Sequence, residues 1–147
     1  MPTLFLDQKV LVANHQIVLY VEDDAQSRRI IRMVLEKRMA LQHVTILENS
    51  LNFQAVVSAL DPKPSIILLD IHMQPYSGFE MLEMLRQLEW SRNIPIIALT
   101  ASVMSEEIQR LRTAGFNGCL SKPIDLQTFP ETFKRILAGE TIWRITT

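Results

Sequence analysis

The sequence predicts an α/β protein in which helices cover a parallel β-sheet. Short apolar runs rich in β-branched residues alternate with longer segments whose apolar residues recur at helical spacing, a pattern typical of parallel sheets. The chain has 147 residues, of which 48% are hydrophobic and 21% are charged. This length and composition fit one folded domain with a buried core.

Five apolar runs are predicted to form the strands. Their nearly continuous hydrophobicity indicates strands that are buried on both faces, as in sheets covered by helices. The runs are IVLYV (17–21), HVTIL (43–47), IILL (66–69), IPIIAL (94–99) and the weaker NGCL (117–120).

The segments between these runs carry helical signals. Three amphipathic segments at 25–39, 49–60 and 79–90 follow the first three runs, and each repeats apolar residues at helical spacing. In the first of them, one face holds Ile31, Val34 and Leu35.

Two further helices are predicted in the C-terminal half. Ser105 is a candidate N-cap for the fourth helix, and Gly115 should end it. The fifth helix is predicted to begin at Asp125, but Pro130 would remove a backbone hydrogen bond from its interior. We therefore expect a tight first turn, a kink, or a helix that begins near Pro130.

The predicted domain spans residues 17–138, between an N-terminal extension (1–16) and a C-terminal tail (139–147). Within the extension, KVLV at 9–12 could add a strand, pack as an arm or be loose.

Charge and cysteine content narrow the class of protein. The net charge of −1 argues against binding nucleic acid through bulk electrostatics. The lone cysteine, Cys119, cannot form an internal disulfide, which suits a reducing compartment. No apolar run approaches the length of about 18 residues that a membrane-spanning helix needs, and the first residues lack a signal-peptide pattern. A cytoplasmic protein without direct membrane contact is predicted.

Polar and charged residues follow the predicted strands. In an open parallel sheet, ligands bind outside the carboxyl ends of the strands, so these residues form a candidate site. They are Glu22, Asp23 and Asp24 after the first strand, Asp70 after the third, Thr100 after the fourth, and Ser121, Lys122 and Pro123 after the fifth.

This set of side chains suits phosphoryl transfer. Clustered carboxylates repel one another, so a hard divalent cation such as Mg²⁺ is their natural stabiliser. Lys122 can pair with Asp70 or bind a phosphoryl oxygen, and Thr100 can donate a hydrogen bond. Catalysis of phosphoryl transfer is mostly positioning and charge neutralisation. Asp70 is the candidate nucleophile, because carboxylates form acyl phosphates.

Four motifs together resemble the receiver domain of two-component response regulators. They are LYVEDD, IILLDIHM, IIALTAS and CLSKPID, and the resemblance extends over residues 17–137. It implies a flavodoxin-like, doubly wound five-stranded parallel sheet of order 2-1-3-4-5, with helices on both faces.

The resemblance also implies a Mg²⁺ site. Asp23 resembles the direct carboxylate ligand, and Glu22 resembles the acidic neighbour that more often acts through water. Asp70 is a further ligand, and the backbone carbonyl of His72 corresponds to the last one.

The phosphoryl group itself would be held by three residues. Asp70 resembles the phosphoacceptor, whereas Thr100 and Lys122 resemble the hydroxyl and the ammonium that contact the phosphoryl oxygens. Pro123 follows the lysine as in the family, usually through a cis peptide bond.

Several residues depart from the family pattern. Gln74 stands where a proline is common, and Pro75 is displaced by one position. Cys119 replaces the usual aromatic residue, which swings inward as the threonine moves, and a cysteine is too small to act in that way. His72 and Ser102 occupy the two variable positions that tune hydrolysis of the acyl phosphate.

Other residues receive structural interpretations. Asp24 is predicted to be a solvated neighbour or the start of a helix cap, and the His72 ring is predicted to be exposed. Arg28, Arg29 and Arg32 are interpreted as a solvated helix face, with a kinase-docking surface as the alternative.

The resemblance implies a signalling protein that catalyses only its own phosphorylation and dephosphorylation. Its phosphodonor would be a sensor histidine kinase or a histidine phosphotransfer protein. Its output would be contact with a downstream protein, or a homodimer formed through the fourth helix, fifth strand and fifth helix.

Two alternatives remain open. The first is a receiver-like interaction domain that is never phosphorylated. The second is a Mg²⁺-dependent phosphatase of the haloacid-dehalogenase type, which would need an aspartate two residues after the nucleophile, where this chain has His72.

Overall fold

A computed structural model describes residues 15–102 and 104–143, so the KVLV segment at 9–12 lies outside the described residues. In this part of the chain six parallel strands form one sheet, in the order β2-β1-β3-β4-β5-β6. The strands are β1 Ile17–Val21, β2 His43–Leu47, β3 Ile66–Asp70, β4 Ile96–Thr100, β5 Gly118–Ser121 and β6 Ile142–Trp143.

Five α-helices connect these strands within the described residues. They are α1 Ala25–Met33, α2 Phe53–Ser58, α3 Gly78–Arg86, α4 Ser105–Ala114 and α5 Phe129–Leu137. A π-helical turn, Val34–Arg38, continues α1, and a 3-10 turn, Glu89–Ser91, follows α3. No described helix combines the length and apolarity needed to cross a bilayer.

The flavodoxin-like fold and the order 2-1-3-4-5 of the first five strands are confirmed. The sheet differs from the prediction by a sixth strand, β6, which lies in the segment interpreted as a tail. A two-residue strand leaves no periodic signal in a sequence. It forms because α5 returns the chain to the free edge of β5, where Ile142 pairs with Gly118 and becomes buried.

The sheet separates two hydrophobic layers. Alternate strand residues such as Val18 and Leu68 pack against α1 and α5, whereas Leu19 and Leu69 pack against α2, α3 and α4. All five residues of β3 and of β4 are buried. The continuous apolar runs therefore form the centre of the molecule, as expected of a sheet covered on both faces.

Two helix starts refine the predictions. Ser105 as an N-cap is wrong: Met104 occupies that position in extended backbone, and Ser105 is the first helical residue. The last helix begins at Phe129 and not at Asp125, which confirms the alternative of a start near Pro130. Pro130 therefore lies in the first turn, where a missing N–H costs nothing. Gly115 ends α4 in the left-handed region, φ 108°, as predicted.

Gly118 makes room for β6. A Cβ atom on Gly118 would lie 2.6 Å from the carbonyl oxygen of Ile142, closer than carbon and oxygen can approach without movement of the backbone. The absence of a side chain at Gly118 thus permits the sixth strand.

Gly118→Ala should lower the free energy of unfolding by about 1–3 kcal/mol, because the added methyl group forces β6 away from β5. Urea unfolding measures this loss. In a chain that ends at Thr141 the methyl group has no such obstacle, so the cost should largely disappear. An equal cost in both backgrounds would contradict this account of Gly118.

Candidate functional site

Three carboxylates meet at the carboxyl edge of the sheet. The parallel pairing of Val21 with Leu69 brings the residues that follow β1 beside the end of β3. As a result, one oxygen from each of Glu22, Asp23 and Asp70 lies within 4.8 Å of the others. Glu22 is fully buried and Asp70 is 5% exposed, whereas Asp23 is exposed to solvent.

Lys122 forms ion pairs with both buried carboxylates. The pairing of Thr100 with Ser121 carries Lys122 to the same edge of the sheet. Its Nζ lies 3.0 Å from Oε1 of Glu22 and 3.3 Å from Oδ2 of Asp70. The sequence suggested the contact with Asp70, but it did not indicate that Glu22 shares the same ammonium group.

Burial and mutual proximity shift the acid–base behaviour of this pair. Burial, together with the neighbouring Asp70 carboxyl, raises the pKa of Glu22 above its ordinary value. Burial alone would lower the pKa of Lys122, but its hydrogen bond to Glu22 and the charge of Asp70 outweigh that effect and raise it. Lys122 is therefore positively charged at neutral pH.

Tyr20 is a site residue that the sequence did not reveal. Its side chain is 1% exposed, and its hydroxyl donates a hydrogen bond of 2.8 Å to Oε1 of Glu22. Burial and the charge of Glu22 raise the pKa of Tyr20, so the hydroxyl keeps its proton. In an apolar run such as LYV, a tyrosine resembles an ordinary core residue. The only available signal was its position two residues before Glu22, because side chains two residues apart in extended backbone lie on the same face.

The residues around β1 have structural roles. Asp24 is the N-cap of α1, where its side chain accepts the Ser27 N–H, and the contacts with Ser27 lower the pKa of Asp24. This arrangement agrees with the predicted cap. Arg28 is not merely solvated, because its guanidinium donates a hydrogen bond of 2.9 Å to the backbone carbonyl of Glu22.

Thr100 and His72 lie beside Asp70. Thr100 is buried and directly follows Leu99, which pairs with Asp70; its hydroxyl accepts the Ser102 N–H at 3.1 Å. The N–H of His72 donates to Oδ1 of Asp70 at 3.1 Å, and the His72 side chain is exposed. Coordination of a cation by the His72 carbonyl stays a prediction.

The segment around Cys119 differs from a reactive thiol site. Cys119 is fully buried, and burial together with the charge of Glu107 raises the pKa of the thiol to about 11. Cys119 is the strand partner of Trp143 in β6, and the Trp143 ring lies 4.7 Å from the Arg112 guanidinium.

The peptide bond between Lys122 and Pro123 is cis.

The donor set fits a hard divalent cation. Three carboxylates at the carboxyl edge of the sheet provide oxygen ligands of the kind that Mg²⁺ prefers. A single ammonium group cannot neutralise all three. The site can therefore bind a cation at its exposed Asp23 side while Lys122 neutralises its buried side.

Comparisons with known proteins show the family to which the chain is related. A family model described as "Response regulator receiver domain" matches residues 18–134. A polar-differentiation response regulator DivK from Brucella ovis is 35% identical over 120 residues, which cover 82% of this chain and 94% of the relative. Its counterpart from Brucella anthropi is 33% identical over the same shares of the two chains.

Solved structures share the fold. The chemotaxis response regulator CheY4 of Vibrio cholerae superposes with a TM-score of 0.73 at 24% identity, covering 83% of this chain and 98% of the other. The receiver domain of sensor histidine kinase PA1611 from Pseudomonas aeruginosa superposes with a TM-score of 0.73 at 23% identity. Its structure has a magnesium ion coordinated in the active site cleft. That match covers 85% of this chain and 99% of the other.

Replacement of Glu22 by Gln should change how stability depends on pH. Because the folded-state pKa of Glu22 is raised above the ordinary value of about 4.3, folding favours its protonated carboxyl. This stabilisation is fully present below the ordinary pKa and is lost as the pH rises through the raised pKa. We therefore expect the wild-type protein, in the presence of a metal chelator, to lose free energy of unfolding relative to Glu22→Gln as the pH rises from the ordinary pKa through the raised pKa.

Urea unfolding at a series of pH values measures this difference. A free-energy difference between the two proteins that stays constant from about pH 4 to about pH 8 would contradict the raised pKa of Glu22.

Proposed function

Since the chain belongs to the response regulator receiver domain family, we propose that Asp70 accepts a phosphoryl group from a phosphohistidine of a partner protein, with Mg²⁺ bound at the acidic edge. The observation that carries this proposal is the contact of Lys122 with both Asp70 and Glu22, whose carboxylates each place an oxygen within 4.8 Å of an oxygen of Asp23. Family membership makes the chain a signalling domain of two-component systems.

The transfer step needs an ionised carboxylate that is free to attack. An oxygen of Asp70 attacks the phosphorus, the bond between phosphorus and the donor imidazole nitrogen breaks, and the imidazole keeps the bond's electron pair as it leaves. Asp70 is 5% exposed, so its carboxylate is mostly shielded from water yet reachable from the edge of the sheet. The N–H of His72 donates to Oδ1 and holds the carboxylate in place.

Separate sets of groups would hold the cation and the transferred phosphoryl group. Asp23 and Asp70 would hold Mg²⁺ directly, with Glu22 acting through water and the carbonyl of His72 completing the protein ligands. When bound, Mg²⁺ would neutralise negative charge that gathers on the phosphoryl oxygens. The ammonium of Lys122 and the hydroxyl of Thr100 would contact the remaining oxygens.

The phosphoryl group would act as a signal by changing the contacts of Lys122 and Thr100. Lys122 contacts both carboxylates without it, so a new anion beside Asp70 competes for the same ammonium group. Thr100 is the last residue of β4, and a change at its hydroxyl would bias the β4–α4 connection that follows between two arrangements. The partners would be a histidine kinase or phosphotransfer protein and a downstream protein, in the cytoplasm.

Strand β6 changes the surface available for a homodimer. A dimer through α4, β5 and α5 remains a prediction, and its interface would include Ile142 and Trp143, because β6 pairs with β5 along that edge. An interaction domain that is never phosphorylated remains the second candidate, since the small, buried Cys119 cannot swing as an aromatic residue would.

Incubation of the protein with a small phosphodonor such as acetyl phosphate and Mg²⁺ should add the mass of one phosphoryl group. The adduct should form on the wild-type protein and be absent from Asp70→Asn, because an amide oxygen is too weak a nucleophile. Intact-protein mass spectrometry measures the adduct, and a chelator should prevent it.

Asp125→Asn is the matched control. Asp125 is exposed, and its side chain accepts the backbone N–H of Gln127. This variant should be phosphorylated like the wild-type protein. An equal adduct on Asp70→Asn, or none on the wild-type protein, would remove the proposal in favour of a constitutive interaction domain.

A further inference from the structure

We propose that Tyr20 is a positioning residue of the acidic site, whose buried hydroxyl fixes the Glu22 carboxylate in the orientation that a bound Mg²⁺ requires. This inference rests on the proposed function, because it concerns the cation site that the phosphoryl transfer uses. It assigns a role to a residue of the hydrophobic core, whose hydroxyl donates a hydrogen bond to Glu22.

The hydroxyl of Tyr20 has a specific contact in an otherwise apolar environment. The ring packs in the hydrophobic layer of α1 and α5 with Val18 and Leu68. A phenylalanine would fill that space equally well. The hydroxyl lies 2.8 Å from Oε1 of the fully buried Glu22, and a buried hydroxyl is stabilising only where it is hydrogen-bonded.

The two oxygens of Glu22 are held by donors from three directions. Oε1 accepts from Tyr20 at 2.8 Å and lies 3.0 Å from Lys122 Nζ. Oε2 accepts from Lys122 at 3.1 Å and from the N–H of Asp24 at 3.2 Å. A carboxylate offers about four lone-pair positions, so these contacts leave little freedom to rotate.

The contacts differ in how firmly they hold the carboxylate. Lys122 is a flexible side chain that also binds Asp70. Its ammonium group would move toward an anion that binds at Asp70. The hydrogen bond from the N–H of Asp24 to Oε2 is long, at 3.2 Å. The Tyr20 hydroxyl, by contrast, sits on a ring that is packed in the core and makes the shortest of these hydrogen bonds, at 2.8 Å.

Loss of that donor should weaken cation binding. Without the hydroxyl, Glu22 can adopt several orientations, and a cation must then order the carboxylate as it binds. One hydrogen bond to a charged group, partly replaced by the remaining donors, corresponds to roughly a three- to tenfold weaker affinity for Mg²⁺. The rate of phosphorylation at saturating Mg²⁺ should change little, because Asp70, Thr100 and Lys122 are intact.

The experiment compares wild-type protein, Tyr20→Phe and Tyr76→Phe. Calorimetry measures Mg²⁺ affinity without any phosphodonor, and phosphorylation by acetyl phosphate is followed as a function of Mg²⁺ concentration. Tyr20→Phe should raise the half-saturating Mg²⁺ concentration with a nearly unchanged maximal rate. Tyr76→Phe removes the hydroxyl of the chain's other tyrosine, which lies outside the acidic cluster, and should behave like the wild-type protein.

A double-variant comparison tests whether Tyr20 acts through Glu22. In the Glu22→Gln background, Tyr20→Phe should cause no further loss of Mg²⁺ affinity. The same loss in both backgrounds, or an unchanged or tighter affinity in Tyr20→Phe alone, would overturn the assignment. If the wild-type protein binds no Mg²⁺ at all, the proposed function fails and the role of Tyr20 fails with it. If only the Tyr20→Phe difference is missing, the proposed function stands.

Discussion

A single ammonium group lies between two buried carboxylates at the carboxyl edge of the sheet. Lys122 Nζ is 3.0 Å from Glu22 and 3.3 Å from Asp70, and both acids are almost completely removed from solvent. Two like charges at this range repel strongly in a medium of low dielectric constant, and burial of either one is costly. Both carboxylates can be buried at the strand ends only because they share the positive charge of Lys122.

The rest of the fold serves to bring these three groups together. Glu22, Asp70 and Lys122 follow or end three different strands, and the parallel pairing of β1 with β3 and of β4 with β5 carries them to one edge. The two hydrophobic layers make this edge rigid, because the strands beneath it are buried on both faces. The acidic cluster thus depends on register, and a slip by one residue would turn Glu22 to the opposite face.

Much of this architecture could be predicted from the sequence, because it depends on long apolar runs and on charged residues at their ends. The strand order of β1 to β5 and the meeting of Asp23, Asp70 and Lys122 at one edge follow from that pattern together with the family resemblance. The bond between Tyr20 and Glu22 could not be predicted, since it depends on where one hydroxyl comes to rest inside a packed core. Strand β6 is too short for periodicity and forms only after α5 has returned the chain to β5.

Replacement of Lys122 by methionine tests the shared charge most directly. In a metal chelator near neutral pH, Lys122→Met should lose about 3 kcal/mol of unfolding free energy, because it leaves two carboxylates buried without a positively charged partner. Added Mg²⁺ should restore part of that loss. Lys37→Met, at an exposed position after α1, is the matched control. A loss in Lys122→Met no greater than in Lys37→Met, with no dependence on Mg²⁺, would contradict the account.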